Sequence, residues 1–333
     1  MTLKVAVIGV GAMGKNHARI YWELTNLEFV GIADSNRELG ESISKRYGVE
    51  YFEDYRKLLD QKKPDAVTIA VPTAFHLDVA METIQRGIHV LIEKPIALSI
   101  EQGKKIIAAA AEHKVKLTVG HVERFNPAVI ALKDKIQAGK IGKVFQLDAR
   151  REGPFPARIS DVGVVIDLSV HDIDIMRSIT GSEVTRVYAE TEQRIHTKHE
   201  DLLTGLLRFE DKSVGTLNVN WLTPTKIREL LVTGEMGMFK VDYLTQDLYF
   251  YENTGAQGAD WDTLRVLRGV NEGASTKFAL TKKEPLRSEQ EAFINAILNG
   301  VPVAVSGEDG LKALEIAEAI VQSGKEHRMI ALR

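Results

Sequence analysis

Three groups of residues have the types and spacing to do chemistry. The first is Gly9-Val10-Gly11-Ala12-Met13-Gly14, a G-x-G-x-x-G run. Glycines in this pattern allow a tight turn, close approach of backbone to a diphosphate, and close packing of a helix on a strand. The helix that follows turns free N–H groups and a positive dipole end toward the phosphates. Asp34 lies 20 residues beyond Gly14. A carboxylate there accepts hydrogen bonds from ribose hydroxyls and repels a 2′-phosphate, which favours NAD over NADP. Arg37 keeps NADP open, because a guanidinium can swing over a phosphate. Val71 ends an apolar run, Ala66–Val71, and Pro72, Thr73 and His76 come after it. Thr73 and His76 are candidates to line the cofactor there; a helix N-cap is the other reading of Thr73.

The second group is Glu93-Lys94-Pro95, behind the apolar run His89–Ile92. Proline removes an N–H and fixes the chain, which aims Lys94 inward. A buried lysine beside a cofactor can exchange or hold a proton. A surface salt bridge between Glu93 and Lys94 is the competing reading. The third group is Asp167, His171 and Asp174, spaced i, i+4, i+7 in an expected helix over Val164–Ile179. That spacing puts two carboxylates and an imidazole on one helical face, beside a stripe of Val164, Leu168 and Ile175. Such a face is expensive unless it lines a polar cavity. Metal binding ranks below proton exchange here, because a nicotinamide site with a lysine needs no metal to handle an alkoxide; no metal site is expected.

The elements that must position these groups fall into two patterns. Short apolar runs alternate with amphipathic segments up to Gly120: strands at Leu3–Gly9, Glu28–Asp34, Ala66–Val71, His89–Ile92 and Lys116–Gly120. Helices are expected at Ala12–Leu24, Asn36–Tyr47, Asp54–Gln61, up to Arg86, and from a Ser99 cap to His113. This is an α/β Rossmann domain, a doubly wound parallel sheet. A helix at Pro127–Gln137, a strand at Lys143–Arg150 and the helix at Val164–Ile179 follow. Strands then run without intervening helices: Val184–Ile195, Leu202–Phe209, Ser213–Trp221, Ile227–Thr233, Met238–Asp242 and Leu248–Tyr251. Consecutive strands mean an α+β domain with an open, mostly antiparallel sheet. Gly255–Gly273 reads as an exposed loop, and helices at Glu289–Leu298 and Glu308–Ser323 close the chain. The domain boundary is drawn at 121/122.

Composition narrows the class. The 333 residues carry a net charge of −3 and no cysteine. Disulfides, thiolate metal sites and a thiol nucleophile are thereby excluded. The acidic balance speaks against nucleic acid or an anionic membrane as partner. The opening MTLKVAVIGVGAMG runs straight into the glycine motif and reads as a buried strand, not a signal peptide. A cytoplasmic location is expected.

Together GVGAMG (Gly9–Gly14), Asp34, AVPTAFH (Ala70–His76), EKP (Glu93–Pro95) and DLSVHDID (Asp167–Asp174) resemble the glucose–fructose oxidoreductase / inositol dehydrogenase / rhizopine-catabolism (Gfo/Idh/MocA) family. The likeness covers essentially the whole chain. It implies a Rossmann domain followed by an open-sheet domain that carries substrate and self-associates, as a homodimer or homotetramer. It also implies a catalytic lysine at Lys94 and a catalytic pair at Asp167 and His171. Where the family often has a glycine run, this chain reads Asp161-Val162-Gly163-Val164-Val165-Ile166. The segment Gly120–Pro127 (GHVERFNP) further resembles the branch of UDP-N-acetylglucosamine 3-dehydrogenases. Glu123 (cofactor) and Arg124 (substrate) are candidate contacts there, with a salt bridge between domains as the other reading.

The expected chemistry is NAD-dependent hydride transfer from a sugar secondary alcohol, with a UDP-N-acetylhexosamine oxidised at C3 as the leading substrate. Lys94 and His171 share the roles of proton acceptor and oxyanion stabiliser, in either order; Asp167 orients the sugar or the imidazole. A diphosphate needs cations, and Arg150, Arg151 and Arg158 are candidates. Arg150 and Arg151 alternate across a strand, so at most one of them faces the sugar. Trp221 and Lys226 are candidates to touch sugar or uracil. A dehydrogenase of a free sugar or cyclitol, a glycosidase using bound NAD, and a non-catalytic NAD- or sugar-responsive regulator are the alternatives.

Overall fold

The computed structural model describes residues 2–156, 162–196, 198–253 and 273–332. They gather into two compact units, Met1–Phe125 with Glu284–Glu315, and Asn126–Lys283 with Ile316–Arg333. The return of Glu284–Glu315 to the first unit differs from the 121/122 division. Its cause is apolar: Phe293 and Ile294 pack into the cluster of Val5, Val7, Ala18 and Tyr21.

In the first unit, β1 (Leu3–Ile8), β2 (Leu27–Ala33), β3 (Glu50–Phe52), β4 (Ala66–Ile69), β5 (His89–Glu93) and β6 (Leu117–Gly120) form a six-stranded sheet in the order β3-β2-β1-β4-β5-β6. All its pairings are parallel. Every residue of β4 and β6 is buried, as a sheet covered on both faces requires. Strand β3 was not expected; three residues are too few to display a period. The helices are α1 (Gly14–Glu23), α2 (Arg37–Tyr47), α3 (Tyr55–Lys62), α4 (His76–Ile84) and α5 (Ile100–Glu112). Asn36, Asp54 and Ser99 cap α2, α3 and α5 by accepting from Leu39, Arg56 and Gln102 backbone N–H. Each such cap contributes about 1 kcal/mol and fixes where the helix starts. The chain order reverses between β1 and β4, so the loops after β1, β4, β5 and β6 share the carboxyl edge of the sheet, where dinucleotides bind.

The second unit holds α6 (Pro127–Gln137), β7 (Val144–Pro154), α7 (Val170–Thr180), β8 (Val184–Glu192), β9 (Leu202–Phe209), β10 (Val214–Asn220), β11 (Leu222–Gly234), β12 (Gly237–Asp242), β13 (Asp247–Glu252) and β14 (Ser275–Lys277). The chain then forms α8 (Pro285–Leu298), α9 (Gly307–Glu326) and β15 (Ile330–Ala331). The sheet has nine strands in the order β14-β13-β12-β11-β7-β10-β9-β8-β15. It is antiparallel except for β7 with β10. Alternate burial along β9 and β10 gives the sheet one packed and one partly open face. Most of the expected Gly255–Gly273 loop lies outside the described residues, as does Arg158.

The single helix expected over Val164–Ile179 begins instead with a π-helical turn, Val165–Ser169. Glu200 explains this entry. Its carbonyl accepts from Val164 N (2.9 Å) and its carboxylate from Val165 N (3.3 Å), so donors at the helix start are satisfied from outside. A Cβ on Gly163 would fall 2.0 Å from Glu200 Oε1, so a lone glycine there supplies the close approach.

Candidate active site

The first unit supplies a cradle for a dinucleotide. Gly9 has φ +83°, and a Cβ there would lie 2.7 Å from Val71 N; one on Gly14 would lie 1.8 Å from Gly9 O. These two glycines lock turn to sheet and helix to turn. Gly11 is different, since no atom lies within 4 Å of its Cβ position. Its backbone therefore borders open space at the positive end of α1, next to Ala12 and Met13. Among the described residues no side chain caps α1, and its first turn holds no acidic residue. Asp34 Oδ2 accepts from Val10 N at 2.7 Å and Oδ1 from Asn36 N at 2.8 Å. Two bonds hold the carboxylate beside the glycine turn and leave lone pairs for ribose hydroxyls. Arg37 is exposed and paired with Glu41 at 2.7 Å. An open glycine cradle, an uncapped helix start and an anchored carboxylate fit NAD.

The loops after β4 and β5 are tied together. His76 is buried, with Nδ1 2.9 Å from the Pro95 carbonyl and Nε2 3.0 Å from that of Val71. Burial pushes its pKa below the ordinary value against the pull of these carbonyls, and a neutral ring donates to one of them at a time. His76 thus braces the loops that carry Val71-Pro72-Thr73 and Lys94. Thr73 opens a 3₁₀ turn, Thr73–Phe75, leading into α4.

Glu93 is buried and faces His17, whose Nε2 is 2.8 Å from its Oε1. Its Oε2 accepts from Lys94 N at 3.2 Å. Burial raises the Glu93 pKa, but the hydrogen bond from His17 and the charge and peptide N–H of Lys94 outweigh it, and the net direction is down. Glu93 is spent on these partners, and Lys94 itself is half-buried. Glu123 and Arg124 lie in a 3₁₀ turn, Val122–Phe125, after β6. Arg124 pairs with Asp309 on α9, at 3.1 and 3.2 Å. Both residues belong to the first unit. Burial raises the Asp309 pKa, yet the charge and hydrogen bond of Arg124, with Ser306, bring it below the ordinary value.

The second unit carries the other candidates. Asp167 lies in the π-helical turn and His171 in the first turn of α7, both half-buried. Asp174 is fully buried at 0% exposure, deeper than the other two. Arg151 is 4% exposed and grips Asp172 with both arms, Nε to Oδ2 at 2.7 Å and Nη2 to Oδ1 at 3.0 Å. Its guanidinium also lies 5.1 Å from the Tyr243 ring centroid. Arg150 points the other way, exposed and paired with Glu152 at 3.1 Å. Trp221 is buried and stacked on His196 at 5.9 Å, with Phe155 edge-on at 5.9 Å; Lys226 is exposed. Among the described residues, no three His, Cys, Asp or Glu side chains are grouped to hold a metal ion. No described helix is long and apolar enough to cross a membrane.

Two residues here escaped sequence reasoning: His17 and Asp172. Only His17 left a signal, a polar side chain in the buried α1 stripe Gly14, His17, Ala18 and Tyr21.

Comparison with known proteins places this arrangement. Residues 3–121 match the oxidoreductase family model with an NAD-binding Rossmann fold, and residues 129–240 match the GFO/IDH/MocA C-terminal domain. A UDP-N-acetylglucosamine 3-dehydrogenase of Acidithiobacillus ferrooxidans is 32% identical over 315 residues, which are 95% of each chain. An inositol 2-dehydrogenase of Rhizobium meliloti is 27% identical over 352 residues, covering 100% of each. A solved structure of the Acidithiobacillus ferrooxidans UDP-N-acetylglucosamine 3-dehydrogenase aligns with a TM-score of 0.87 at 29% identity, over 98% of both chains. The chain belongs to the Gfo/Idh/MocA family: it is an oxidoreductase of the sugar or cyclitol type with an NAD-binding Rossmann domain.

Proposed function

We propose that this protein is a nucleotide-sugar dehydrogenase that oxidises the C3 hydroxyl of a UDP-N-acetylhexosamine. The observation that carries the reading is the 32% identity to a UDP-N-acetylglucosamine 3-dehydrogenase along 95% of the chain. Bound NAD supplies the hydride acceptor. His171 takes the hydroxyl proton as general base. The Lys94 ammonium donates a hydrogen bond to the same oxygen and stabilises the negative charge that develops on it. Asp167 orients the sugar. Loss of either group that handles charge on the reacting oxygen lowers kcat by about 10²–10⁴-fold. K94A and H171A therefore bind NAD normally by titration yet turn over at that reduced rate. An H171A enzyme with full turnover removes the imidazole from the proton step. Self-association belongs to the same reading, supported by the exposed Tyr188 and Leu206, which pair across β8 and β9.

The competing substrate is a cyclitol, favoured by the end-to-end similarity to an inositol 2-dehydrogenase. Absorbance of NADH, with carbonyl product trapped by hydroxylamine and weighed by mass spectrometry, separates the two. UDP-N-acetylglucosamine is expected to give NADH and a trapped keto sugar, and myo- and scyllo-inositol none. Turnover of inositol with UDP-N-acetylglucosamine inert overturns the proposal.

A further inference from the structure

One cluster of buried polar side chains in the first unit has no part in the chemistry described so far. His17 sits on α1, three residues beyond the last glycine of the motif. Glu93 ends β5, and Gln290 lies on α8, so three elements distant in sequence meet in one place. His17 and Gln290 are 0% exposed and Glu93 is 8% exposed. The amide nitrogen of Gln290 lies 3.1 Å from His17 Nδ1 and 3.3 Å from the His17 carbonyl. A carbonyl only accepts, so the amide must present its NH₂ group to His17; the reverse orientation would set oxygen against oxygen. Nδ1 is then an acceptor, and Nε2–H donates to Glu93 Oε1 at 2.8 Å. The other oxygen of Glu93 accepts from the Lys94 backbone N–H at 3.2 Å.

A buried carboxylate is stable only when donors hold it, and these two have fixed positions. One, His17, rides on the helix whose start lines the open glycine cradle. The other is the peptide of Lys94. Three residues of helix rise by about 4.5 Å, so the cradle and the lysine peptide are linked over a very short span. Glu289, beside Gln290 on α8, is 1% exposed, and its carboxyl oxygens have no hydrogen-bond partner. Burial, with the charge of Glu93, holds its pKa well above the usual carboxylate value. Burial thus favours the protonated form of Glu289, whereas the donors on Glu93 favour its charged form.

We propose that His17 and Glu93, oriented by Gln290, are positioning residues that brace the Lys94 peptide against the dinucleotide-binding helix, so that cofactor and lysine are held in one register. The inference rests on the reading of Lys94 as the group that touches the reacting oxygen. A displacement of about 1 Å in a reacting geometry lowers turnover by about 10²-fold. The brace is therefore expected to act on kcat and not on affinity.

The test compares H17L, H17Q, Q290M and K94A in the full chain, measuring NAD affinity by titration together with kcat and KM for the sugar. H17L removes the donor; it is expected to lower kcat by about 10–100-fold with NAD affinity and KM within about threefold. H17Q offers an amide donor and an acceptor oxygen in place of the imidazole, and is expected to recover most of kcat. Q290M, which leaves His17 in place, is expected to lose a smaller factor in the same direction. Should H17L fail to fold, the same signature in Q290M, with kcat largely kept in H17Q, decides the matter, and a Q290M with unchanged kcat overturns the brace. A folded H17L with kcat within twofold of the parent overturns the brace, as does loss of NAD affinity in proportion to kcat. K94A keeps the two proposals apart: an active K94A sinks the lysine chemistry itself, whereas an inactive K94A beside a normal H17L sinks the brace alone.

Discussion

The two units build their candidate sites by opposite means. In the first, backbone does most of the work: Gly9 and Gly14 are packed against other backbone, and Gly11 alone is left open. The side chains that assist, His17, His76, Glu93 and Gln290, are buried and hydrogen-bonded to one another or to loop carbonyls. In the second, the candidates Asp167 and His171 stand half-buried on a π-helical turn and the helix after it, entered through Gly163 and Glu200. The difference teaches which site tolerates change. The phosphates of a dinucleotide are recognised largely by backbone, so the cradle depends on glycine geometry rather than on exchangeable side chains. A sugar differs from enzyme to enzyme, and side chains on an irregular helix entry can be exchanged without rebuilding the fold. π-helical turns recur at functional positions.

The sharpest way to break that comparison is within the glycine motif. Gly14→Ala places a methyl group 1.8 Å from the Gly9 carbonyl, a backbone atom with nowhere to go. It is expected to cost roughly 3–5 kcal/mol of stability and to abolish NAD binding. Gly11→Ala meets no protein atom. Its thermal unfolding is expected to match the parent within about 0.5 kcal/mol, while NAD affinity falls because the methyl occupies the space left for the ligand. Calorimetry and NAD titration on the two variants check this directly. Equal losses of stability would mean that Gly11 is structural and the cradle is misplaced.

The second unit offers a smaller effect. Asp172→Asn strips the charge that Arg151 holds in a buried pair and leaves the guanidinium partly uncompensated. A loss of about 3 kcal/mol in urea unfolding is expected, with UDP-sugar affinity of the folded protein unchanged, because Arg151 is turned to Asp172. A stable D172N with weakened sugar binding would give Arg151 back to the substrate.

What could be read in advance follows the range of the interactions. Runs such as AVTI in β4 and LTVG in β6 carry their burial in their own composition, and Asn36, Asp54 and Ser99 mark helix starts within one turn. Five of the six strands of the parallel sheet were therefore legible, and so was the glycine turn with its acidic partner. Features set at a distance were not. The π-helical turn depends on Glu200, which lies 35 residues beyond the Val165 N–H it accepts from. Pairing of β7 with β10 is parallel although the strands between them run antiparallel, and no local pattern announces that. The brace at Lys94 joins residues 76 and 273 positions apart, so its members read only as an isolated histidine, a motif glutamate and a helix glutamine.

The smallest expected effect reports on the charge count inside the first unit. Glu289 shares its buried surroundings with Glu93, and its folded-state pKa is raised well above the ordinary 4.5 by burial and by that neighbouring charge. The folded protein therefore holds this proton more tightly than the unfolded chain does. The resulting stabilisation is complete below about pH 4.5, declines as pH rises above it, and is gone once pH passes the folded-state value. Glu289→Gln keeps the shape and cannot ionise. In urea unfolding its stability relative to the parent is expected to increase as pH rises above about 4.5, and to level off once pH passes the folded-state value of Glu289. Since the unpaired oxygens of Glu289 and the ionised Glu93 are the two carboxylates of this pocket, parallel stability curves would mean that both carry charge there. A charge on Glu289 would then stand in the pocket without a hydrogen-bond donor, because His17 Nε2 is engaged by Glu93.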